Sequence, residues 1–296
     1  MTLLPSWTLV ALHFVCVHAQ FREDNAGNLT FGSYYNYWDW DPSSSTFDLT
    51  RGNTDDSKTI SVANGEKFIV ISPANSALVI IDMQNYFLNS DYSGQNFTDG
   101  LNAVAPTIEA VKAFRTAGAK VIWCQWGLNE YDLRDIGPAY KYGFAATVDD
   151  VKDPSASLGS EMGEYGGVDY GRKLVDGYYN TEPYGPLAHL MKEGLEAGTD
   201  LYFPKNRQSC MWGAQTPMGI YVEANLISTL FFSGVNIDQC VYGSFNDAYY
   251  KGYDAIIVQD CSATTSPPAA TEMVLYNADK HGFVTNSSDI VAGMGI

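Results

Sequence analysis

Three residues in this chain end apolar runs and carry groups able to move a proton or act as a nucleophile: Asp82 after ALVII, Lys205 after DLYFP, and Cys240 after FFSGVNIDQ. A carboxylate leaving a buried strand is partly desolvated and can accept a proton. An ammonium at the same sheet edge stabilises a carboxylate or a thiolate. A cysteine just ahead of a helical stretch, here VYGSFNDAYYKG, meets the positive end of the helix dipole, which lowers a thiol pKa. Singly, each residue has a plainer reading: Asp often ends a strand as a turn former, a lone Lys is usually solvated, and a lone Cys is usually buried and inert.

The elements that must position these groups follow from hydrophobic patterning. From Ala77 onward, short apolar runs (ALVIID, KVIWCQW, DLYFPK, DAIIVQD) alternate with helical stretches (TIEAVKAFRTAG, PLAHLMKEGLEAG, VYGSFNDAYYKG). That alternation predicts an α/β fold, a doubly wound and mostly parallel sheet flanked by helices in a Rossmann-like three-layer sandwich. Runs such as 78–81 and 255–258 are continuously apolar, as expected when crossover helices bury both faces of a sheet. Glycines 118, 198 and 252 stand where preceding helices should stop. In such sheets ligands bind beyond the carboxyl ends of the strands, where Asp82, Lys205 and Cys240 fall. The Gly-rich stretch 152–171 reads as a long loop over that edge.

Residues 1–19 read as a signal peptide, because the first twenty carry no Asp, Glu, Lys or Arg and run apolar up to Val17-His18-Ala19. A transmembrane anchor fits less well, since Pro5, His13 and a short apolar stretch fall short of the roughly 20 apolar residues a span needs. Asn-X-Ser/Thr sequons at Asn28, Asn96 and Asn286 agree with passage through a secretory compartment, so a secreted glycoprotein with no membrane segment in its mature form is expected. The formal charge of −17, with no basic run, disfavours nucleic acid as a partner. Without Cys16 of the leader, Cys124, Cys210, Cys240 and Cys261 remain, at spacings that match no metal site or disulfide scaffold.

Residues 20–76 are rich in Tyr, Trp, Asp and Ser, show no sustained helical or strand period, and read as an N-terminal extension wrapped on the main domain, 77–296. Two uses are open to its aromatic cluster, 34–40: packing against the domain or another subunit, and lining a site.

Three separated blocks, ALVIIDMQNYFL at 77–88, FPKNRQS at 203–209 and SGVNIDQCVYGSFNDAYYKGYDAIIVQD at 233–260, occur in the order found in the isochorismatase-like cysteine hydrolases, and the chain resembles that family over residues 77–267. The relatives include nicotinamidases, N-carbamoylsarcosine amidohydrolases, biuret hydrolases and ureidoacrylate amidohydrolases. The resemblance implies an Asp82, Lys205 and Cys240 catalytic triad. It also implies a cis peptide between Val235 and Asn236 that aims backbone N–H groups at an oxyanion, a thioester intermediate on Cys240, and, by analogy, a homo-oligomer. Family members that act on isochorismate itself lack the cysteine, so its presence implies cleavage of a carbon–nitrogen bond.

The chain departs from the family pattern at Tyr86, often Asp, and Ile237, often Thr. Nicotinamidases carry an Asp-X-His metal site after the second strand. Here that region is WCQWGLNEYDLRD, without histidine, so neither a catalytic metal nor another cofactor is expected. Phe87, Trp126, Asn129, Trp212 and Gln215 follow strand ends or motif blocks and are candidates for an apolar pocket holding a small amide or ureide; packing is the other use open to each. The segment KNRQSCMWGAQTP is most similar to the ureidoacrylate and biuret branch. The function expected is a secreted amidohydrolase for a small molecule; the alternative is a small-molecule-binding protein that keeps the fold without the chemistry.

Overall fold

The computed structural model describes residues 22–23, 27–93, 97–149 and 151–295. The leader at 1–19 and the sequon at Asn96 lie outside them.

The chain first builds a sheet of short strands: β1 (Arg22–Glu23), β2 (Leu29–Gly32), β3 (Tyr37–Asp41), β4 (Thr46–Asp48), β5 (Lys58–Val62) and β6 (Lys67–Ile71), in spatial order β1-β2-β3-β4-β6-β5. No strand period was expected here, and the structure differs. Strands of two to five residues are too short for alternation to accumulate, and Trp38, Trp40 and Phe47 cluster ring to ring instead of alternating cleanly. β5 and β6 do alternate, burying Ile60 and Val62 on one and Ile69 and Ile71 on the other around Asn64-Gly65, the dipeptide typical of a hairpin. Their buried faces join one half of the main core.

Along the rest of the chain come β7 (Ser76–Ile81), β8 (Lys120–Trp126), the two-residue partners β9 (Glu164–Tyr165) and β10 (Val168–Asp169), β11 (Asp200–Lys205), β12 (Thr229–Val235), β13 (Asp254–Ala263) and β14 (Phe283–Thr285). Six of them form a parallel sheet in the order β11-β8-β7-β12-β13-β14. All six residues of β7 are buried, as its unbroken apolar run requires. Helices Val104–Thr116 and Ser287–Met294 cover one face, packing on Leu78, Ile80 and Phe231. Helices Pro217–Ala224, Tyr242–Tyr250 and Pro268–His281 cover the other, packing on Val79, Ile122 and Phe232. This is the doubly wound three-layer sandwich expected from the alternation of runs. Helix Pro186–Ala197 ends at Gly198, whose φ of 74° is the left-handed geometry that favours glycine.

Sequential strands run outward from β7 to β8 and β11, then resume on its other side with β12. The topological switch therefore lies between β7 and β12, and it is there that open parallel sheets leave a crevice at the carboxyl edge.

A buried ion pair ties the two sheets together. Asp254, at the start of β13, accepts hydrogen bonds from both terminal nitrogens of Arg51 at 2.7 Å, from the Trp38 indole at 2.7 Å and from the Thr229 hydroxyl at 2.8 Å. Trp38 of the 34–40 cluster is thus used in packing, whereas Tyr34 and Tyr35 are exposed. Removing the guanidinium strands a buried carboxylate, so Arg51→Met is expected to lower stability by about 3 kcal/mol, read as a lower urea midpoint.

The stretch expected as a long loop carries the β9–β10 hairpin. It is held by Lys173, whose buried ammonium donates to the carbonyls of Phe144 (3.1 Å), Ala146 (3.0 Å) and Ala156 (2.6 Å). Burial pushes this ammonium down to about 8. The Phe144 ring in turn packs edge-on against Trp126, 5.1 Å between centroids.

Candidate active site

Register alone brings the three chemical groups together. β7 pairs with β8 so that Ile81 lies opposite Cys124, and β8 pairs with β11 so that Trp126 lies opposite Lys205. Asp82, one residue past β7, has φ of 53°, a left-handed backbone costly for a residue with a Cβ, and the chain turns sharply there. Its carboxylate is fully buried: Oδ1 accepts from the Trp126 backbone N–H at 2.9 Å, and Oδ2 lies 2.9 Å from Lys205 Nζ. Lys205 Nζ also donates to the carbonyl of Arg207 at 3.1 Å and sits 4.0 Å above the Trp126 ring.

Cys240 arrives from β12. Gly234 makes this possible: a Cβ there would stand 1.9 Å from the carbonyl oxygen of Ile81, so only glycine lets β12 lie this close to β7. The peptide between Val235 and Asn236 is cis. The chain then forms one turn of π type, Ile237–Val241, in which the Val241 N–H reaches back to the Asn236 carbonyl at 3.3 Å, and continues into the helix Tyr242–Tyr250. Cys240 lies inside this turn, whereas the sequence had placed it just before the helix. Its carbonyl is fixed by the Ser244 hydroxyl at 2.8 Å.

Electrostatics couples the three groups. Burial raises the Asp82 pKa above the usual carboxylate value, opposed by the Lys205 charge. Burial alone would lower Lys205, but the facing Asp82 carboxylate and the surrounding sulfurs outweigh it and hold the ammonium above its ordinary value. Burial pushes the Cys240 thiol up, Lys205 counteracts, and the Asp82 carboxylate within hydrogen-bonding reach adds to the rise. With Asp82 ionised against the Lys205 ammonium and the proton on sulfur, the set is one carboxylate, one ammonium and one neutral thiol. Moving the thiol proton to Asp82 keeps one negative and one positive charge inside the protein, so the transfer adds no net buried charge.

Beside Lys205 opens a cavity of about 220 Å³, walled by Asn129, Asp132, Asn206, Trp212, Cys124 and Cys210. Of the residues named for a pocket, Asn129 and Trp212 line it. Trp126 is fully buried under Lys205, Phe87 packs edge-on against Tyr86, and Gln215 lies exposed outside the lining. Asn129 caps the helix Glu130–Asp135 in a reciprocal box with Asp132, and Asp132 accepts a further bond from Asn206 at 2.7 Å. Sequence reasoning passed over Asp132 and Asn206. The spacing Asn129-x-x-Asp132 is a capping signature that would have fixed the first, and Asn206 directly follows Lys205.

The thiols of Cys124, Cys210, Cys240 and Cys261 are all buried and unpaired. Asn28 and Asn286 are half-buried. His281 stacks on Tyr249 at 4.5 Å, and His189 is exposed beside Glu193. Among the described residues no helix is long and apolar enough to cross a membrane.

Residues 76–289 match the family model described as the isochorismatase domain. A ureidoacrylate amidohydrolase, RutB, of Cronobacter sakazakii is 26% identical over 229 residues, covering 75% of this chain and 88% of that protein. In fold the chain is similar to a cysteine hydrolase from Pseudomonas syringae pv. phaseolicola, with a TM-score of 0.55 and 16% identity over 75% of this chain and 93% of that one. It is similar too to a pyrazinamidase/nicotinamidase from Streptococcus mutans, with a TM-score of 0.55 and 18% identity over 71% of this chain and 99% of that one.

Proposed function

This chain belongs to the isochorismatase family, and from that premise we propose that it is a cysteine amidohydrolase that cleaves a carbon–nitrogen bond of a small amide or ureide. The observation that carries the reading is the convergence of Asp82, Lys205 and Cys240 at the sheet's switch point, with Lys205 Nζ 2.9 Å from the Asp82 carboxylate and the Cys240 thiol within reach of it. Similarity to a ureidoacrylate amidohydrolase supports the ureide class. The cavity of about 220 Å³ beside Lys205 supports a small substrate.

In the proposed reaction Asp82 takes the Cys240 proton as the sulfur attacks the carbonyl carbon, while backbone N–H groups at Asn236 and Cys240 receive the oxyanion. Collapse breaks the carbon–nitrogen bond, and Asp82 passes its proton to the departing nitrogen. Water, deprotonated by Asp82, then attacks the thioester, releasing the acid and returning the proton to sulfur. Lys205 stays charged throughout and balances whichever partner is negative.

The test is ammonia or amine release by the purified protein across ureides, carbamoyl amino acids, nicotinamide and simple amides. Silence across the panel from a folded protein with an alkylatable Cys240 would count against the reading. The pH profile is a second check. Because burial raises Asp82 and only its carboxylate can accept the proton, kcat/KM should climb with unit slope through a midpoint above the ordinary carboxylate value of about 4. Because Lys205 is held above its ordinary value, no alkaline fall should appear below about pH 10. A fall centred near pH 8 that persists when Lys173, whose ammonium burial pushes down to about 8, is replaced by Met would contradict the assignment of Lys205.

We also propose that the protein is secreted, on the strength of the apolar leader at 1–19 and the sequons at Asn28, Asn96 and Asn286. Full burial of its four remaining thiols is compatible with an oxidising compartment, since exposed thiols are the ones oxidised.

A further inference from the structure

Trp126 touches every member of the proposed triad by a different part of itself. Its backbone N–H donates to Asp82 Oδ1 at 2.9 Å. Its ring face lies 4.0 Å beneath the Lys205 ammonium. Its indole N–H is buried, makes no hydrogen bond of ordinary geometry in the resting structure, and lies within reach of the Cys240 sulfur. A fully buried donor left without a partner is unusual, because desolvating an N–H without compensation is costly. The ring cannot turn away to find one, being held between Lys205 on one side and the rings of Phe144 at 5.1 Å and Tyr140 at 6.4 Å.

Resting on the amidohydrolase reading, we propose that the indole N–H of Trp126 is a preorganised donor for the Cys240 thiolate, a catalytic group additional to Asp82, Lys205 and Cys240. The neutral thiol is a weak acceptor, so the N–H is poorly satisfied while the proton is on sulfur. Once the proton has moved to Asp82, the same N–H faces a full negative charge, and the bond becomes charge-assisted. The interaction thus strengthens as the nucleophile forms, which is the condition for a contact to accelerate a reaction rather than merely bind.

The arrangement of charges agrees. The groups facing the sulfur are Asp82 from the end of β7 and Lys205 from the end of β11, with Cys124 and Cys210 lying around Lys205. Burial and the Asp82 carboxylate both favour the thiol, whereas Lys205 and the Trp126 indole favour the thiolate. The backbone N–H of the same tryptophan meanwhile favours the Asp82 carboxylate. One residue therefore donates to both ends of the proton's path: its backbone N–H favours the proton on sulfur, and its indole N–H offsets that preference by stabilising the thiolate.

The test does not depend on knowing the substrate. Carbamidomethylation of Cys240 by iodoacetamide, followed by peptide mass spectrometry between pH 6 and 10, reports thiolate formation directly. Trp126→Phe keeps a ring beneath Lys205 and removes the N–H; replacing Trp126 by benzothienylalanine keeps the bicyclic shape and removes only the N–H. Both should alkylate Cys240 about tenfold more slowly at pH 7.5, with the profile displaced to higher pH, as loss of one charge-assisted bond predicts. A profile coincident with wild type in the benzothienyl variant would overturn the proposal, even if Trp126→Phe were slow, because shape rather than the N–H would then matter. A wild-type Cys240 that resists alkylation across the range would overturn the amidohydrolase reading along with it.

Discussion

Cys240→Ala should fold as the wild type does and lose about 10⁶-fold in turnover, the scale of loss when the member of a catalytic triad that forms the covalent bond is removed. The side chain is small and buried, so its loss leaves a cavity of little more than one sulfur atom, and stability should fall by only about 1 kcal/mol. Cys124 and Cys210, which line the neighbouring cavity, should not substitute, because neither follows the cis peptide after β12 and burial raises the Cys124 thiol well above its ordinary value. Serine should not rescue the reaction. Burial already pushes the thiol up, and a hydroxyl, far less acidic, would need a stronger base than Asp82. Steady-state turnover and urea unfolding on Cys240→Ala, Cys240→Ser and Cys261→Ala separate these contributions. Cys261, buried on the opposite face of the sheet, should cost stability and leave turnover within a fewfold of wild type. Comparable turnover in Cys240→Ala and wild type would end the cysteine mechanism.

Much of this site was legible from the chain because each group ends an element whose pattern is strong. ALVIID and FFSGV are buried on both faces, so their apolar runs are unbroken, and a charged or nucleophilic residue at the end of such a run stands out; DLYFPK, on the edge strand, is mostly half-buried but still sets a short apolar run ahead of Lys205. What the sequence did not show is what depends on contacts between elements. Gln215 and Phe87 follow motif blocks just as Asn129 and Trp212 do, yet the turn after β11 leaves Gln215 outward and Phe87 is taken up by packing on Tyr86. Local spacing cannot say which way a loop residue faces. The N-terminal sheet was missed for a different reason. Its strands are short and mostly half-buried, so the alternation expected of a one-sided sheet is diluted, and the one clean signal, Ile60-x-Val62 and Ile69-x-Ile71 around Asn64-Gly65, occupies only a small part of the segment. Its position after an apolar run makes Trp126 a candidate for a pocket. That it donates to Asp82 through its backbone and lies beneath Lys205 follows from the β8–β11 register, which no property of a single segment reveals.

Lys205→Met tests whether the lysine is there for charge or for shape, and the two answers separate with pH. Methionine fills nearly the same volume, so packing on Trp126 is largely kept, but the Asp82 carboxylate loses the one charge that opposes burial. Its pKa then rises further, well above the unfolded value of about 3.9. A carboxyl whose folded pKa exceeds its unfolded one costs nothing below the unfolded value, where both states hold the proton. It destabilises increasingly as pH rises from there to the folded pKa, since the unfolded chain has given up a proton that the folded one retains. The stability deficit of Lys205→Met should therefore be about 3 to 5 kcal/mol at pH 8 and shrink steadily as the pH falls toward 5, read from urea midpoints at both values. Asp82→Asn in the same chain should recover most of that stability, because the buried charge is gone, and should recover none of the activity. Turnover of Lys205→Met should be reduced by about 10³-fold or more at every pH, since a neutral Asp82 cannot take the proton and an ionised one would leave the thiolate without a counter-charge. A pH-independent deficit would mean that the lysine acts through packing alone, and recovery of turnover in the double variant would mean that neither group handles the proton.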